Sequence, residues 1–378
     1  MKRLKTVLKV IGIALLLVVL GIFIFLYAVS PDTTPEFKDS HGKVLANSIA
    51  KMEYVKIGGI RQFILIRGKN RNNPILLVLH GGPGVPELPM YRTFNSELEN
   101  YFTVAYWDQR GAGKSAVENI PDSSFTLNQF VEDTHELTVY LKEQFKKDKI
   151  FLLGHSWGSL LGVETVYKYP NDYYAYVGTG QFGNQPKSDS LSYLFAEHKA
   201  KELNDTVALS DLNSIGAYNS PTMKRTGFMN WLFMQRVYVS AFGGSIVDPN
   251  ATAHIFLLPI LYCKEYTIGN KYNLIKGNSK SAFVNSPYRN MIPKVLCIDL
   301  SKVNELKIPV YFFQGKHDYL TNFSVAKEYF DLLKAPKKEF VVFNKSAHFP
   351  SFEEPEKFDS LMINQVLKEN IVDSTRYN

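Results

Sequence analysis

The chain of 378 residues is 45% hydrophobic and 21% charged, a composition that excludes a disordered or fibrous protein. Its length predicts a large buried core. The formal net charge is +7, and four of the positive charges lie in the first nine residues. The net positive charge of the remaining chain is too small to predict a nucleic-acid-binding surface.

Residues 10–29 form an uncharged apolar segment that follows these positive residues. A helix rises about 1.5 Å per residue, so this segment spans a bilayer core of roughly 30 Å. We predict that residues 1–30 are a cytoplasmic tip and an uncleaved signal anchor in the lipid bilayer. A cleaved signal and a buried helix are the alternatives. The positive-inside rule then places the rest of the chain on the extracytoplasmic side, after a tether at residues 31–50.

Eight runs rich in β-branched and aromatic residues follow, alternating with helical patterns such as the one after Thr126, which can form a capping box with Gln129. This alternation predicts a mostly parallel α/β sheet. Gly58–Gly59 indicates a hairpin between the first two strands. The predicted strands lie at residues 52–57, 61–68, 75–80, 102–107, 150–154, 174–178, 310–315 and 339–344.

Two glycine-containing loops follow the third and fourth predicted strands. Residues 80–84 read His-Gly-Gly-Pro-Gly. Such a loop can direct the N–H of Gly82 toward the carbonyl oxygen of a substrate; a plain turn is the alternative. In residues 108–115, Gly113-Lys114-Ser115 resembles the end of a phosphate-binding loop, but that motif requires glycine where Asp108 stands. We therefore interpret this loop as a hydrogen-bonded support for the site.

The sequence Gly-His-Ser-Trp-Gly at residues 154–158 directly follows the fifth predicted strand and begins a helical pattern. This strand–turn–helix context predicts that Ser156 is a nucleophile, and a buried structural turn is the alternative. The N–H of Trp157 is the expected second donor to the substrate oxygen, beside that of Gly82.

Residues 183–303 interrupt the alternation and are mostly helical in pattern. We interpret them as a cap inserted between strands six and seven of a core formed by residues 51–182 and 304–378. The two cysteines, Cys263 and Cys297, either form a disulfide or are separate thiols. No metal-ligand spacing is present in the sequence, so we expect no metal site.

A serine nucleophile requires a base and a carboxylate that orients it. In this fold class the chain order is serine, acid, histidine. His348 follows the last predicted strand and Asp318 follows the seventh, which predicts a Ser156–His348–Asp318 triad. The alternative for Asp318 and His348 is that both are solvated loop residues without a catalytic role. His317 precedes Asp318 and is therefore a neighbour rather than the base.

Together these motifs resemble the α/β-hydrolase superfamily and, within it, the proline iminopeptidase family of serine peptidases. The resemblance covers residues 50–370 and includes a Phe-Glu-Glu-Pro sequence at 352–355. It implies an eight-stranded sheet with a helical cap, no cofactor, and release of an amino-terminal residue, often proline. It also supports the roles given above to the triad, Gly82 and Trp157.

Two positions depart from the family pattern. His155 stands where the family often has glycine, and Trp231 is followed by Leu232 rather than by the glutamate that helps to hold the substrate amine. As replacements for that glutamate we select Glu197, Glu202 and Glu265, which flank apolar or aromatic cap residues. The predicted function is a membrane-anchored aminopeptidase that acts on small peptides through an acyl-enzyme. A carboxylesterase or lactonase with the same triad and a non-enzymatic binding module are the alternatives.

Overall fold

A computed structural model describes residues 2–117, 119–277 and 286–375. Its centre is an eight-stranded sheet of order β1-β2-β4-β3-β5-β6-β7-β8. The first two strands pair antiparallel, β2 pairs antiparallel with β4, and the other neighbours are parallel, as expected for a mostly parallel sheet. The strands are β1 (Ile49–Ile57), β2 (Ile60–Gly68), β3 (Ile75–Leu79), β4 (Thr103–Asp108), β5 (Ile150–His155), β6 (Tyr173–Thr179), β7 (Val310–Gly315) and β8 (Lys338–Phe343).

The sheet is covered by helices on both faces. Along β3, Leu77 and Leu79 belong to one apolar cluster, whereas Leu76 and Val78 belong to another on the opposite face. This burial on both faces explains the continuous apolar runs of the central strands. The described helices are α1 (Lys2–Ala28), α2 (Leu88–Phe94), α3 (Leu98–Tyr101), α4 (Leu127–Phe145), α5 (Trp157–Lys168), α6 (Gln185–Glu202), α7 (Thr206–Ile215), α8 (Pro221–Thr226), α9 (Phe228–Ala241), α10 (Leu258–Tyr262), α11 (Ile268–Gly277), α12 (Ile292–Val295), α13 (Phe323–Leu332), α14 (Pro350–Glu353), α15 (Pro355–Leu361) and α16 (Lys368–Thr375).

Local signals in the sequence account for the β1–β2 turn and for the start of α4. Gly58 and Gly59 both have positive φ, 54° and 81°, as the tight turn of the β1–β2 hairpin requires. Thr126 caps α4 by accepting a hydrogen bond from the Gln129 N–H at 3.1 Å. The predicted capping box is only half formed, because the Thr126 N–H donates to the Ser124 carbonyl oxygen at 3.1 Å rather than to the Gln129 side chain.

Helices α6 to α12 lie between β6 and β7, where the cap is predicted. Helix α6 packs against α7 and α9. Trp231 of α9 is fully buried there and donates its indole N–H to the Gly216 carbonyl oxygen at 2.7 Å. Trp231 belongs to the same apolar cluster as Leu77 and Leu79 of β3, so the cap and one face of the sheet share a continuous core.

The amino-terminal helix α1 contains an apolar stretch, Leu4–Ala28, with a mean hydropathy of 3.0, and none of it is buried against the protein. The alternative of a buried core helix is thereby excluded. The chain that follows is hydrogen-bonded to the body rather than free. Lys271 donates to the Val29 carbonyl oxygen at 2.7 Å and to Ser30 Oγ at 2.8 Å, and the Thr33 N–H donates to the Lys264 carbonyl oxygen at 3.1 Å.

Candidate active site

Ser156 lies at the sharp turn between β5 and α5. Its backbone has φ 53° and ψ −118°, a conformation that residues other than glycine rarely adopt. The two glycines of the motif permit this turn. A Cβ atom on Gly154 would lie 2.2 Å from the Gly158 carbonyl oxygen, and one on Gly158 would lie 2.1 Å from the Leu79 carbonyl oxygen. The turn thus depends on glycine at both positions.

Asp318 and His348 lie at the ends of β7 and β8 and contact each other directly. Asp318 Oδ2 is 2.9 Å from His348 Nδ1. The other oxygen, Oδ1, accepts the backbone N–H groups of Leu320 and Thr321 at 2.8 and 3.0 Å. Thr321 Oγ1 and the Gln314 amide each donate to Oδ2 at 2.8 Å. These donors fix the carboxylate so that it can orient the imidazole.

The buried imidazole of His348 is suited to act as a base. Burial lowers its pKa below the ordinary value of 6.5, because removal of water disfavours the charged ring. Asp318 opposes this effect, while the nearby charges of His155 and Arg236 add to it. The ring is therefore neutral at neutral pH and can accept a proton.

Ser156 and His348 line one cavity of about 290 Å³ beneath the cap. Most of its wall is apolar. Among the described residues that line it, the charged or titratable side chains are Glu87, His155, Arg236 and His348. A serine, an oriented histidine and a largely apolar chamber with a few polar groups form an arrangement that fits acyl transfer on a small substrate.

His155, which replaces the glycine common in the family, pairs with Glu87. His155 Nδ1 lies 2.6 Å from Glu87 Oε1, and its Nε2 lies 2.9 Å from the His348 carbonyl oxygen. Burial disfavours the charged ring, but Glu87 and the other acceptors outweigh burial and raise the pKa of His155. Glu87 Oε2 is buried and has no hydrogen-bond partner within the described part of the chain.

The two predicted N–H donors belong to residues near Ser156. Gly82 lines the same cavity as Ser156 and has φ 113°. Trp157 follows Ser156 in the chain and is the first residue of α5, so its N–H has no acceptor within the helix. The Trp157 indole donates to Gln109 Oε1 at 2.8 Å, which fixes the start of the helix.

The loop at residues 108–115 is hydrogen-bonded, as its interpretation as a support requires. Asp108 is buried and accepts the Lys114 N–H at 2.8 Å and the Tyr266 hydroxyl at 2.7 Å. Burial raises the pKa of Asp108 to about 6. Arg110 forms a two-point ion pair with Asp133 at 2.8 and 3.0 Å. The Tyr266 bond ties this loop to the cap.

The three glutamates selected for the substrate amine do not line the cavity. The choice rested on neighbouring apolar residues, a feature that does not show which way a side chain points. Each carboxylate already has a basic partner elsewhere: Glu197 with Lys201 at 2.9 Å, Glu202 with Lys199 at 2.9 Å, and Glu265 with Arg92 at 3.2 Å.

The structure also locates two other histidines and the two cysteines of the sequence analysis. His317 is exposed and contacts the Asn344 carbonyl oxygen at 3.2 Å, away from Asp318 Oδ2. His80 is buried and accepts the Gln109 N–H at 3.2 Å. The two cysteines are not bonded to each other: Cys263 is buried and Cys297 is exposed.

Two cavity residues, Glu87 and Arg236, were missed by sequence reasoning. Glu87 lies three residues beyond the His-Gly-Gly-Pro-Gly loop, and that short distance from the site was an available signal. Arg236 lies on α9, and nothing in its sequence context distinguishes it from the other basic residues of the cap.

Comparison with known proteins places the chain in a family. Residues 74–355 match the family model described as alpha/beta hydrolase fold. The probable aminopeptidase YbaC of Bacillus subtilis is 33% identical over 82% of this chain and 94% of that protein. The proline iminopeptidase of Thermoplasma volcanium is 23% identical over 84% of this chain and 97% of its own length.

Among solved structures, the proline iminopeptidase of Mycobacterium smegmatis superposes with a TM-score of 0.58 at 17% identity, covering 86% of this chain and 100% of that one. The fold is therefore shared with this structure over most of the chain. The chain belongs to the alpha/beta-hydrolase family and is similar to proline iminopeptidases.

Proposed function

We propose that the protein is a membrane-anchored serine aminopeptidase that releases an amino-terminal residue through an acyl-enzyme on Ser156. The observation that carries the proposal is the Asp318–His348 hydrogen bond in the cavity that Ser156 also lines. The similarity to a probable aminopeptidase and to proline iminopeptidases supports the peptide substrate.

The proposed reaction begins when Ser156 Oγ attacks the carbonyl carbon of the first peptide bond and His348 takes its proton. The N–H groups of Gly82 and Trp157 stabilise the oxyanion of the tetrahedral intermediate. His348 then gives the proton to the leaving amine, and the acyl-enzyme remains. A water molecule, deprotonated by His348, hydrolyses this ester and regenerates Ser156.

An aminopeptidase also needs an acceptor for the charged amine of its substrate. Glu87 fits this role, because it is the one Asp or Glu among the described residues that line the cavity. Its Oε1 is held by His155, which leaves the unpartnered Oε2 free to accept a hydrogen bond. A buried carboxylate of this kind distinguishes an ammonium group from a neutral one.

The function is tested by comparing a free and an amino-blocked substrate. We expect proline or alanine naphthylamide to be cleaved at least about 30-fold faster than its acetylated form, because loss of a contact to a buried charge costs about 2–5 kcal/mol. Glu87→Gln should reduce this preference. Glu197→Gln is the control, since that side chain pairs with Lys201 outside the cavity. Equal cleavage of both forms, together with rapid hydrolysis of p-nitrophenyl esters, would indicate an esterase instead.

We also propose that α1 anchors the protein in the bilayer with the catalytic domain on the extracytoplasmic side. The uncharged part of α1, residues 10–28, is about 28 Å long as a helix, close to the hydrocarbon thickness of roughly 30 Å. Its side chains are exposed, and lipid would cover them. The positive residues at its amino end support the orientation.

This proposal predicts that the full chain resists carbonate extraction from membranes. A chain beginning at residue 28 should be soluble and active, because it keeps Val29 and Ser30 as partners of Lys271. A chain beginning at residue 36 loses these contacts and should unfold at a lower temperature. Release of the full chain by carbonate would contradict anchoring, and protection from protease added to spheroplasts would contradict the orientation.

A further inference from the structure

Arg236 of the cap helix α9 lines the same cavity as Ser156 and His348. It is the one lysine or arginine among the described residues of that cavity wall. About a third of its side-chain surface is accessible, at 32%. Since the residue borders the cavity, that surface is available to a bound molecule.

One nitrogen of the Arg236 guanidinium is buried without a partner. Nε has no hydrogen-bond partner within the described part of the chain. Arg236 forms an ion pair with Asp189, but Asp189 Oδ1 lies 3.8 Å from Nη2, beyond hydrogen-bond distance. Asp189 Oδ1 instead accepts the Gln185 amide at 3.1 Å. A buried donor without a partner is costly, and a ligand in the cavity that accepts its hydrogen bond would remove that cost.

The nearby carboxylates do not hydrogen-bond to Arg236 directly. Glu87 is held by His155 at 2.6 Å. Asp189, whose pKa burial raises to about 6, carries a negative charge at neutral pH and partly offsets Arg236, but its Oδ1 lies 3.8 Å from Nη2. An anionic group in the cavity can therefore supply the direct hydrogen bonds that Asp189 does not. Arginine presents parallel N–H donors that match a carboxylate with two hydrogen bonds.

We propose that Arg236 binds a carboxylate of the substrate, so that the preferred substrates are short peptides with a free carboxylate near the scissile bond. This inference rests on the proposed aminopeptidase function and adds a substrate class to it. The cavity of about 290 Å³ lies at the small end of ligand sites, which span about 300–1,000 Å³. A substrate of that size is only a few residues long, which places its carboxyl terminus inside the cavity. An acidic side chain is the second possible source of the same group.

The test uses the full chain in detergent micelles and matched pairs of substrates. Prolyl-alanine and its carboxyl-terminal amide examine the terminal carboxylate, and glutamyl-alanine amide and glutaminyl-alanine amide examine the side-chain carboxylate. The wild type should prefer the acid in at least one pair. Arg236→Gln should lower that acid-to-amide ratio of kcat/KM at least about 30-fold, and Arg236→Lys should restore part of it. Arg225→Gln, which removes the same charge from an exposed cap position, should leave the ratio unchanged.

Two further measurements separate binding from folding. Arg236→Gln should still react with a fluorophosphonate. The fall of its kcat/KM on acidification should occur at a higher pH than in the wild type, because Arg236 lowers the pKa of His348. If that variant does not fold, carboxylate binding is tested by inhibition of the wild type. Free alanine, which has a carboxylate, should inhibit more strongly than alaninamide, which has none. A wild type that shows no acid preference in either pair, or an unchanged ratio in folded Arg236→Gln, would overturn the inference. Failure of the aminopeptidase proposal itself would appear as equal cleavage of free and amino-blocked substrates.

Discussion

Replacing Ser156 with alanine should remove nearly all hydrolytic activity, with kcat reduced by about 10⁶. The strained turn places Ser156 at the cavity, and without its hydroxyl no acyl-enzyme can form. The variant should also fail to react with a fluorophosphonate probe. Rates with a naphthylamide substrate and gel-based labelling measure the two effects.

Ser214→Ala is the matched control, because Ser214 is an exposed serine of the cap. It should retain both activity and labelling. If Ser156→Ala were labelled at the wild-type rate, another residue would be the nucleophile, and the proposed mechanism would be wrong.

The second large effect concerns the base. His348→Ala should lose activity to about the same extent as Ser156→Ala, because the serine and histidine act as one unit. Asp318→Asn should lose about 10⁴ in kcat, since the amide no longer favours the required tautomer. His317→Ala should change activity little, because that exposed ring contacts the Asn344 carbonyl oxygen. An inactive His317→Ala beside an active His348→Ala would reverse the assignment.

The same histidine sets the pH dependence. Activity requires neutral His348, and burial lowers its pKa, so kcat/KM should fall on acidification with a midpoint below pH 6.5. The decline follows from protonation of the ring, which then cannot accept the serine proton. A midpoint above pH 7 would contradict this assignment.

Much of the fold could be predicted because its signals are local. The strand runs are apolar since both sheet faces are covered, and Gly154 is required by a contact with Gly158 within the turn itself. The pairing of Asp318 with His348 was predictable from chain order, because consecutive parallel strands bring their carboxyl ends together.

The lining of the substrate cavity could not be predicted in the same way. Glu265 flanks aromatic residues, yet its carboxylate faces Arg92 rather than the cavity. Arg236 reaches the cavity because α9 packs against α6 in a particular orientation. Helix packing of this kind depends on contacts between distant residues. The contacts of Lys271 with Val29 and Ser30 could not be predicted for the same reason, since these residues lie far apart in the chain.

The most direct test of the proposed mechanism is to locate the covalent intermediate. The full-length protein is treated with a fluorophosphonate, digested and analysed by mass spectrometry, with and without prior incubation with a slowly hydrolysed acyl ester. A single adduct on Ser156, which decreases when the ester has first acylated the protein, is the predicted result. An adduct on another residue, or labelling of Ser156 that the ester does not reduce, would contradict an acyl-enzyme at this serine.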